Sequence, residues 1–185
     1  MSRQTTKIMV LGIVAYRGPI GAYGIEKVLK EWAVSRWTTI AAPSIYQQLR
    51  TLSSRGFIDV TSGESERATQ YVCTTKGREQ LLSLLRSLLE ERDFQPLSLI
   101  PLLYFTPTLT IDELRRGLSA RVAAIETVLA HEQEFLDQSR DLGPAHAMEI
   151  LRLTWHGFRA DRDWCLDYLA RLPESWQVGG WIDCD

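Results

Sequence analysis

Two short β-prone runs, residues 57–61 (FIDVT) and 70–74 (QYVCT), stand in a chain otherwise patterned for helices. Between them lies SGESERA, a polar stretch with Gly63. Two such runs joined by a polar turn predict a β-hairpin. What precedes and follows the hairpin then decides the architecture. Residues 7–16 are apolar and predict a short buried helix, stopped by Gly18-Pro19 because proline cannot continue a helix and disfavours helix at the residue before it. In residues 21–34, Ile25, Val28, Leu29 and Trp32 fall at i, i+3, i+4, i+7, with Lys27, Lys30 and Glu31 off that face. A third helix follows. Its N-cap is Ser44, unless Pro43 instead occupies the first turn. Ile45, Leu49 and Leu52 make its buried stripe, and Gly56 ends it as a left-handed C-cap. After the hairpin, Thr75 can cap a leucine-dense helix over residues 76–92. Helix, helix, helix, hairpin, helix is the order of a winged helix-turn-helix.

The second half has a different texture. Residues 94–107 hold Pro96, Pro101 and Pro107 and predict a junction with one short apolar helix, LSLIPLLYF. Thr110 then caps a long helix, with Asp112 and Glu113 at its positive end. Its apolar positions are Ile111, Leu114, Leu118, Val122, Ile125, Leu129 and Leu136, and Gly143-Pro144 stops it. A second long helix spans residues 145–172. Met148, Leu151, Trp155, Phe158, Cys165, Leu169 and Leu172 form a heptad-like seam, with Arg162 in the one polar slot. Each helix is ~40–50 Å long at ~1.5 Å per residue. One helical hairpin cannot bury two wide apolar faces alone, so a second copy is the expected partner, with Leu151, Trp155, Phe158 and Leu169 in the dimer interface. The fold class expected is mainly α: a winged helix-turn-helix DNA-binding domain (residues 1–92), a long helical-hairpin dimerisation and effector domain (93–173), and a flexible tail (174–185).

The formal net charge of −2 hides a division. Residues 1–92 carry +5 and residues 93–185 carry −7, and all four lysines lie in the first part. A basic module joined to an acidic one points to double-stranded DNA as a partner of the first. In a helix-turn-helix the last helix enters the major groove. Here it offers Ser44, Gln47, Gln48 and Arg50 away from its apolar stripe. Glutamine can pair bidentately with adenine and arginine with guanine. Ser44 and Tyr46 can bond phosphate oxygens. Arg67 in the hairpin loop is flanked by Glu64 and Glu66, a poor electrostatic wing; Lys76 and Arg78 are better placed for phosphate. The solvated-face reading competes for each of these residues, and the helix order is what raises the DNA reading.

Enzyme chemistry has no foothold. There is no GxSxG, GxGxxG or GxxxxGK[ST] run. His131, His146 and His156 have no metal-ligand spacing, and Cys73, Cys165 and Cys184 form no CxxC. No catalytic residue, metal or cofactor is expected. The odd cysteine count suits a reducing cytoplasm. No long apolar run predicts a membrane span, and the N-terminal apolar stretch lacks a small-residue cleavage pattern. Trp155, Trp164, Tyr104 and Phe105 either pack in the core or line a cavity for a flat apolar effector.

The chain resembles the PadR family of bacterial transcriptional regulators. The matching stretches are MVLGIVAYRGPIGAYGIEKVL, APSIYQQLRTLSSRGFIDV and QYVCTTKGREQL. Tyr46, Leu49, Leu52, Gly56, Ile58, Tyr71, Thr74 and Gly77 fall where that family's pattern has them. The second half resembles the longer C-terminal domain of one branch by architecture more than by motif. The resemblance implies a homodimeric winged-helix repressor, released by a small, often aromatic molecule, with Tyr46 contacting the DNA backbone and Tyr23 of the Gly-Tyr-containing second helix among the DNA-binding residues. It departs at Ala22 and Gly24, which flank Tyr23 where a glycine and an acid are usual, and at Ser53-Ser54, where an acidic pair is usual. The alternative from another class is a winged-helix protein-interaction module without a DNA role.

Overall fold

The computed structural model describes residues 3–62, 69–91, 97–138, 145–176 and 178. The chain divides into two compact units, Met1–Leu85 and Arg86–Gly180.

In the first unit, helix α1 (Arg3–Arg17) is the pillar. Every residue from 8 to 14 is buried, the pattern of a helix enclosed on all sides. It packs on α2 (Ala22–Glu31), α3 (Ala42–Ser54) and strand β2 (Gln70–Cys73). The predicted stripe of α2 is buried at Ile25, Val28 and Leu29, but the helix ends before residue 34. Ala33 takes a left-handed φ of 51°, and Val34–Arg36 form a 3-10 turn. Helix α3 buries Ile45, Leu49 and Leu52 as the spacing predicts. It starts two residues ahead of Ser44, after extended Ala41, with Pro43 in its first turn. There proline's missing N–H leaves no gap in the ladder. Ser44 is therefore a helical residue, not the cap, and its own N–H donates to the Ala41 carbonyl at 2.9 Å. Gly56, at φ +70°, lets the chain turn back so that Phe57 N–H reaches the Leu52 carbonyl at 2.9 Å.

Strand β1 (Ile58–Ser62) pairs antiparallel with β2, aligning Ile58 with Cys73 and Val60 with Tyr71. On its other side β2 meets Ile20, which exchanges both backbone hydrogen bonds with Tyr71 at 3.1 Å. The sequence carried no local sign of that bridge. Helix α4 (Thr75–Glu90) is capped by Thr74, not Thr75. The Thr74 hydroxyl accepts from Gly77 N–H at 3.0 Å, the N3 position of a helix capped at residue 74. It also donates to the Gly56 carbonyl at 2.8 Å, which ties the cap to the end of α3.

In the second unit, the proline-rich junction holds α5 (Ile100–Tyr104) and a 3-10 turn, Thr106–Thr108. Helices α6 (Ile111–Gln138) and α7 (Ala145–Arg171) then pair antiparallel. The predicted cap at Thr110 is a reciprocal box: its hydroxyl accepts from Glu113 N–H at 3.2 Å, and the Glu113 carboxylate accepts from Thr110 N–H at 2.9 Å. That backbone N–H, the largest influence on it, holds the Glu113 carboxyl below its ordinary pKa. The seam of α7 is occupied within the chain. Trp155 and Phe158 pack on Ile125 and Leu129 of α6, while Met148, Cys165 and Leu172 are buried.

At the centre of the helix pair lies an ion pair that the periodicity reading passed over. Arg121 and Asp161 are 0% and 1% exposed, with Nη2 and Oδ2 2.6 Å apart and Nε and Oδ1 3.3 Å apart. Arg121 also donates to the Glu91 carbonyl at 3.3 Å and to Ser98 Oγ at 3.2 Å. A signal was present: Arg121 sits seven residues after Leu114, in the apolar register of α6. The tail is not loose throughout, since the Trp176 indole donates to the Leu109 carbonyl at 2.9 Å.

Candidate nucleic-acid interface

Helix α3 is amphipathic by geometry. With Ile45, Leu49 and Leu52 buried, the opposite side lies about 180° away at ~100° per residue. Gln47 and Arg50 fall there and are exposed. Ser44, Tyr46 and Gln48 are half-buried on the two flanks. Of the sequence-derived base-reading residues, Gln47 and Arg50 thus share one open face, and Gln48 turns towards a flank. Tyr23, in the first turn of α2, is 77% exposed. No side chain caps the N-terminus of α3, where Ala41, Ala42 and Pro43 are exposed. That end carries partial positive charge from its aligned peptide dipoles.

Lys76 is exposed, but its ammonium is engaged. It donates to the Arg55 carbonyl at 2.9 Å and lies 5.1 Å from the centre of the Phe57 ring. The ammonium of Lys7 approaches the same ring at 5.4 Å. Arg67 falls outside the described residues, as do Glu64 and Glu66.

The four aromatic residues expected to share an effector cavity do not come together. Trp155 and Trp164 are nine residues apart on α7, which is about 900°, so they project from opposite sides. Trp155 lines a shallow cleft with Glu126, Gln133, Arg159 and Arg162. Trp164 lines a separate hollow of about 320 Å³ with Leu97, Leu99, Ile100, Leu103 and Ala160. Phe105 is fully buried beside half-buried Tyr104, their ring centres 6.4 Å apart. Of the expected dimer residues, Trp155 and Phe158 face α6, and Leu151 and Leu169 are half-buried.

The two described thiols are not set up as nucleophiles. Burial, reinforced by the Asp161 charge, pushes the Cys165 thiol up to about 12, and burial raises that of Cys73. Both stay protonated at neutral pH, whereas the thiolate is the reactive form. Among the described residues no His, Cys, Asp and Glu cluster is suited to a metal ion, and no helix is long and apolar enough to cross a membrane.

No family model matches the chain, and no curated protein matches it. Solved structures do. A PadR-like transcriptional regulator from Bacillus cereus is 19% identical, covers 89% of this chain and 96% of its own, and superposes with a TM-score of 0.38. Bacillus subtilis PadR in complex with operator DNA is 18% identical, covering 89% of this chain and 97% of its own at a TM-score of 0.37. The same protein in complex with p-coumaric acid is 17% identical, covering 92% and 96% at 0.38. The chain is similar over most of its length to PadR-like transcriptional regulators, the family its sequence motifs resemble.

Proposed function

We propose that this protein is a DNA-binding transcriptional regulator that lays α3 in the major groove. The observation that carries the reading is the open face of α3. Gln47 and Arg50 project opposite a fully buried stripe, on the second helix of a helix-turn-helix followed by a hairpin. Arg50 is the expected guanine reader and Gln47 the adenine reader. Ser44, Tyr46 and Gln48 flank that face, exposed Tyr23 and Lys76 are further DNA-contact candidates, and Tyr46 and Ser44 are suited to phosphate oxygens. Arg50→Ala is expected to weaken binding to the preferred duplex by ~1–3 kcal/mol, while binding to scrambled DNA of equal length changes little. Fluorescence anisotropy at two salt concentrations measures both. If wild type binds neither duplex and instead holds a protein partner, the reading is wrong and the interaction-module alternative takes its place.

The regulator acts as a homodimer and a repressor, with the dimer formed by the second unit. Trp155 and Phe158 are engaged within the chain, so the face left for a second copy is the opposite side of α7. There Ile150 and Leu153 are 62% and 74% exposed, and a Cβ on Gly157 would meet nothing within 4 Å. These three residues follow at i, i+3, i+7. A self-complementary patch of this kind suits a two-fold interface and a palindromic operator. Leu153→Asp is expected to give monomers in sedimentation and to weaken operator binding more than tenfold. A dimer that survives the change places the interface elsewhere.

An effector, in this reading, occupies the hollow beside Trp164. Its lining is mostly aliphatic with one aromatic wall, and its one carboxylate, Asp161, is already paired with Arg121, which suits a flat, mainly apolar molecule. A flat aromatic probe such as 2-naphthol is expected to quench tryptophan emission saturably in wild type and not in Trp164→Leu. Equal quenching in both would empty that hollow of its role.

A further inference from the structure

A cleft of about 390 Å³ opens in the first unit along one flank of α3, bordered by the first turns of α1 and by Leu84 of α4. Its polar walls include Gln4 and Lys7 from α1, Ser44, Gln47 and Gln48 from α3, and Arg55 at the end of α3. Among the described residues, no carboxylate lines it. It adjoins the open face bearing Gln47 and Arg50 and shares Gln47 with it: its centre lies about a quarter-turn round the helix, and hydrogen-bond donors and cations converge in it from two helices.

The charges there are badly matched without a guest. Lys7 loses part of its hydration to burial and faces the Arg55 guanidinium, and both influences lower its pKa. Lys76 adds a third cation, bonded to the Arg55 carbonyl and sharing the Phe57 ring with Lys7. Among the described residues, neither Lys7 nor Arg55 forms an ion pair. Two ordinary effects explain part of this. Cations at the end of α3 suit its negative pole, and the Phe57 ring attracts both ammonium groups. Neither effect calls for Gln4, Ser44 and Gln48 to border the same space. An oxyanion would. It would offset the repulsion between Lys7 and Arg55 and accept charge-assisted hydrogen bonds from both, with neutral donors completing its shell.

We infer that the cleft between α1 and the flank of α3 is a seat for a phosphate group, held by Lys7 and Arg55. The phosphate can come from a DNA backbone, which extends the proposed function, or from a free phosphorylated small molecule, which does not depend on it.

The test has two arms on the full chain. In the first, inorganic phosphate is titrated at constant ionic strength while backbone amide resonances are followed. Saturable shifts at Gln48 and Arg55 are expected, absent with chloride and lost in Arg55→Gln. In the second, duplex affinity is measured against salt for wild type, Lys7→Met and Arg55→Gln. Each lost phosphate contact is expected to reduce the magnitude of the log–log slope by about 0.9. Saturable phosphate binding with an unchanged slope identifies a free phosphorylated ligand. A reduced slope identifies the DNA backbone. No saturation together with an unchanged slope overturns the inference. If no duplex binds wild type, the DNA-binding reading has failed separately, and the phosphate titration alone decides. Unchanged far-ultraviolet circular dichroism of both variants separates loss of the seat from loss of the fold.

Discussion

Asp161→Ala is expected to cost the second unit about 3–5 kcal/mol, a large share of the ~5–15 kcal/mol that holds a typical domain folded. The size follows from what is left behind. Arg121 is 0% exposed and cannot swing its head to water. Arginine side chains in general keep their charge, so neutralisation offers no escape. After the change the Glu91 carbonyl and Ser98 Oγ would remain among the acceptors of Arg121, neither of them charged. The pair itself is not a large net stabiliser, because two ions were stripped of water to form it. Arg121→Met combined with Asp161→Leu is therefore expected to restore stability to about the wild-type level or up to ~4 kcal/mol above it. Urea unfolding followed by tryptophan emission, in a background with Trp32→Phe and Trp37→Phe, reads the relevant unit, since Trp155 and Trp164 lie in it. If Asp161→Ala costs less than about 1 kcal/mol, Arg121 reaches solvent and the pair is not sealed in solution.

Gly77→Ala is the second large effect, and its sign runs against propensity. In an exposed helix, alanine for glycine normally stabilises by ~0.8–1.0 kcal/mol. At position 77 an added Cβ would sit 2.0 Å from the Phe57 carbonyl oxygen and 2.8 Å from Cys73 Sγ. The first of these is backbone, so relief requires the start of α4 to move away from the entry of β1. That movement would pull Gly77 N–H from the Thr74 hydroxyl and Thr74 from Gly56, undoing the cap that joins three elements. A loss of ~3 kcal/mol or more is expected, at the upper end for an overpacked site. Thermal unfolding of the variant measures it. A Tm equal to or above wild type would mean that the approach of α4 to Phe57 is looser than described.

The legible parts of this molecule are those governed by near neighbours. The stripe Ile45, Leu49, Leu52 needs only the helical period, Gly56 only its own backbone freedom, and the start of α6 only the Thr110–Glu113 spacing. Elsewhere a distant partner makes the choice. Thr74 and Thr75 are equally good caps by local rules, and the Gly56 carbonyl selects Thr74. Ile20 becomes a strand-like neighbour of Tyr71 because α1 delivers it there, which no local pattern encodes. Of the candidate site, the open face of α3 was legible, and so was the place of Gln48 on its flank, three residues after Ile45 and four before Leu52. The separation of Trp155 from Trp164 is different: it follows from counting residues along α7. The Arg121–Asp161 pair was half legible, as an arginine in an apolar register, while its partner forty residues later was not.

The enclosure of α1 also matters during synthesis. A helix apolar on every side has no face of its own to show to water, and it leaves the ribosome before the elements that cover it. The stretch from Val14 to Cys73 takes ~3–12 s to make at ~5–20 residues per second. Throughout that interval residues 8–14 form a sticky nascent segment with α3 and β2 still to come. During that interval the segment is open to capture by a chaperone or by another nascent chain, a hazard that the stability of the finished molecule does not remove.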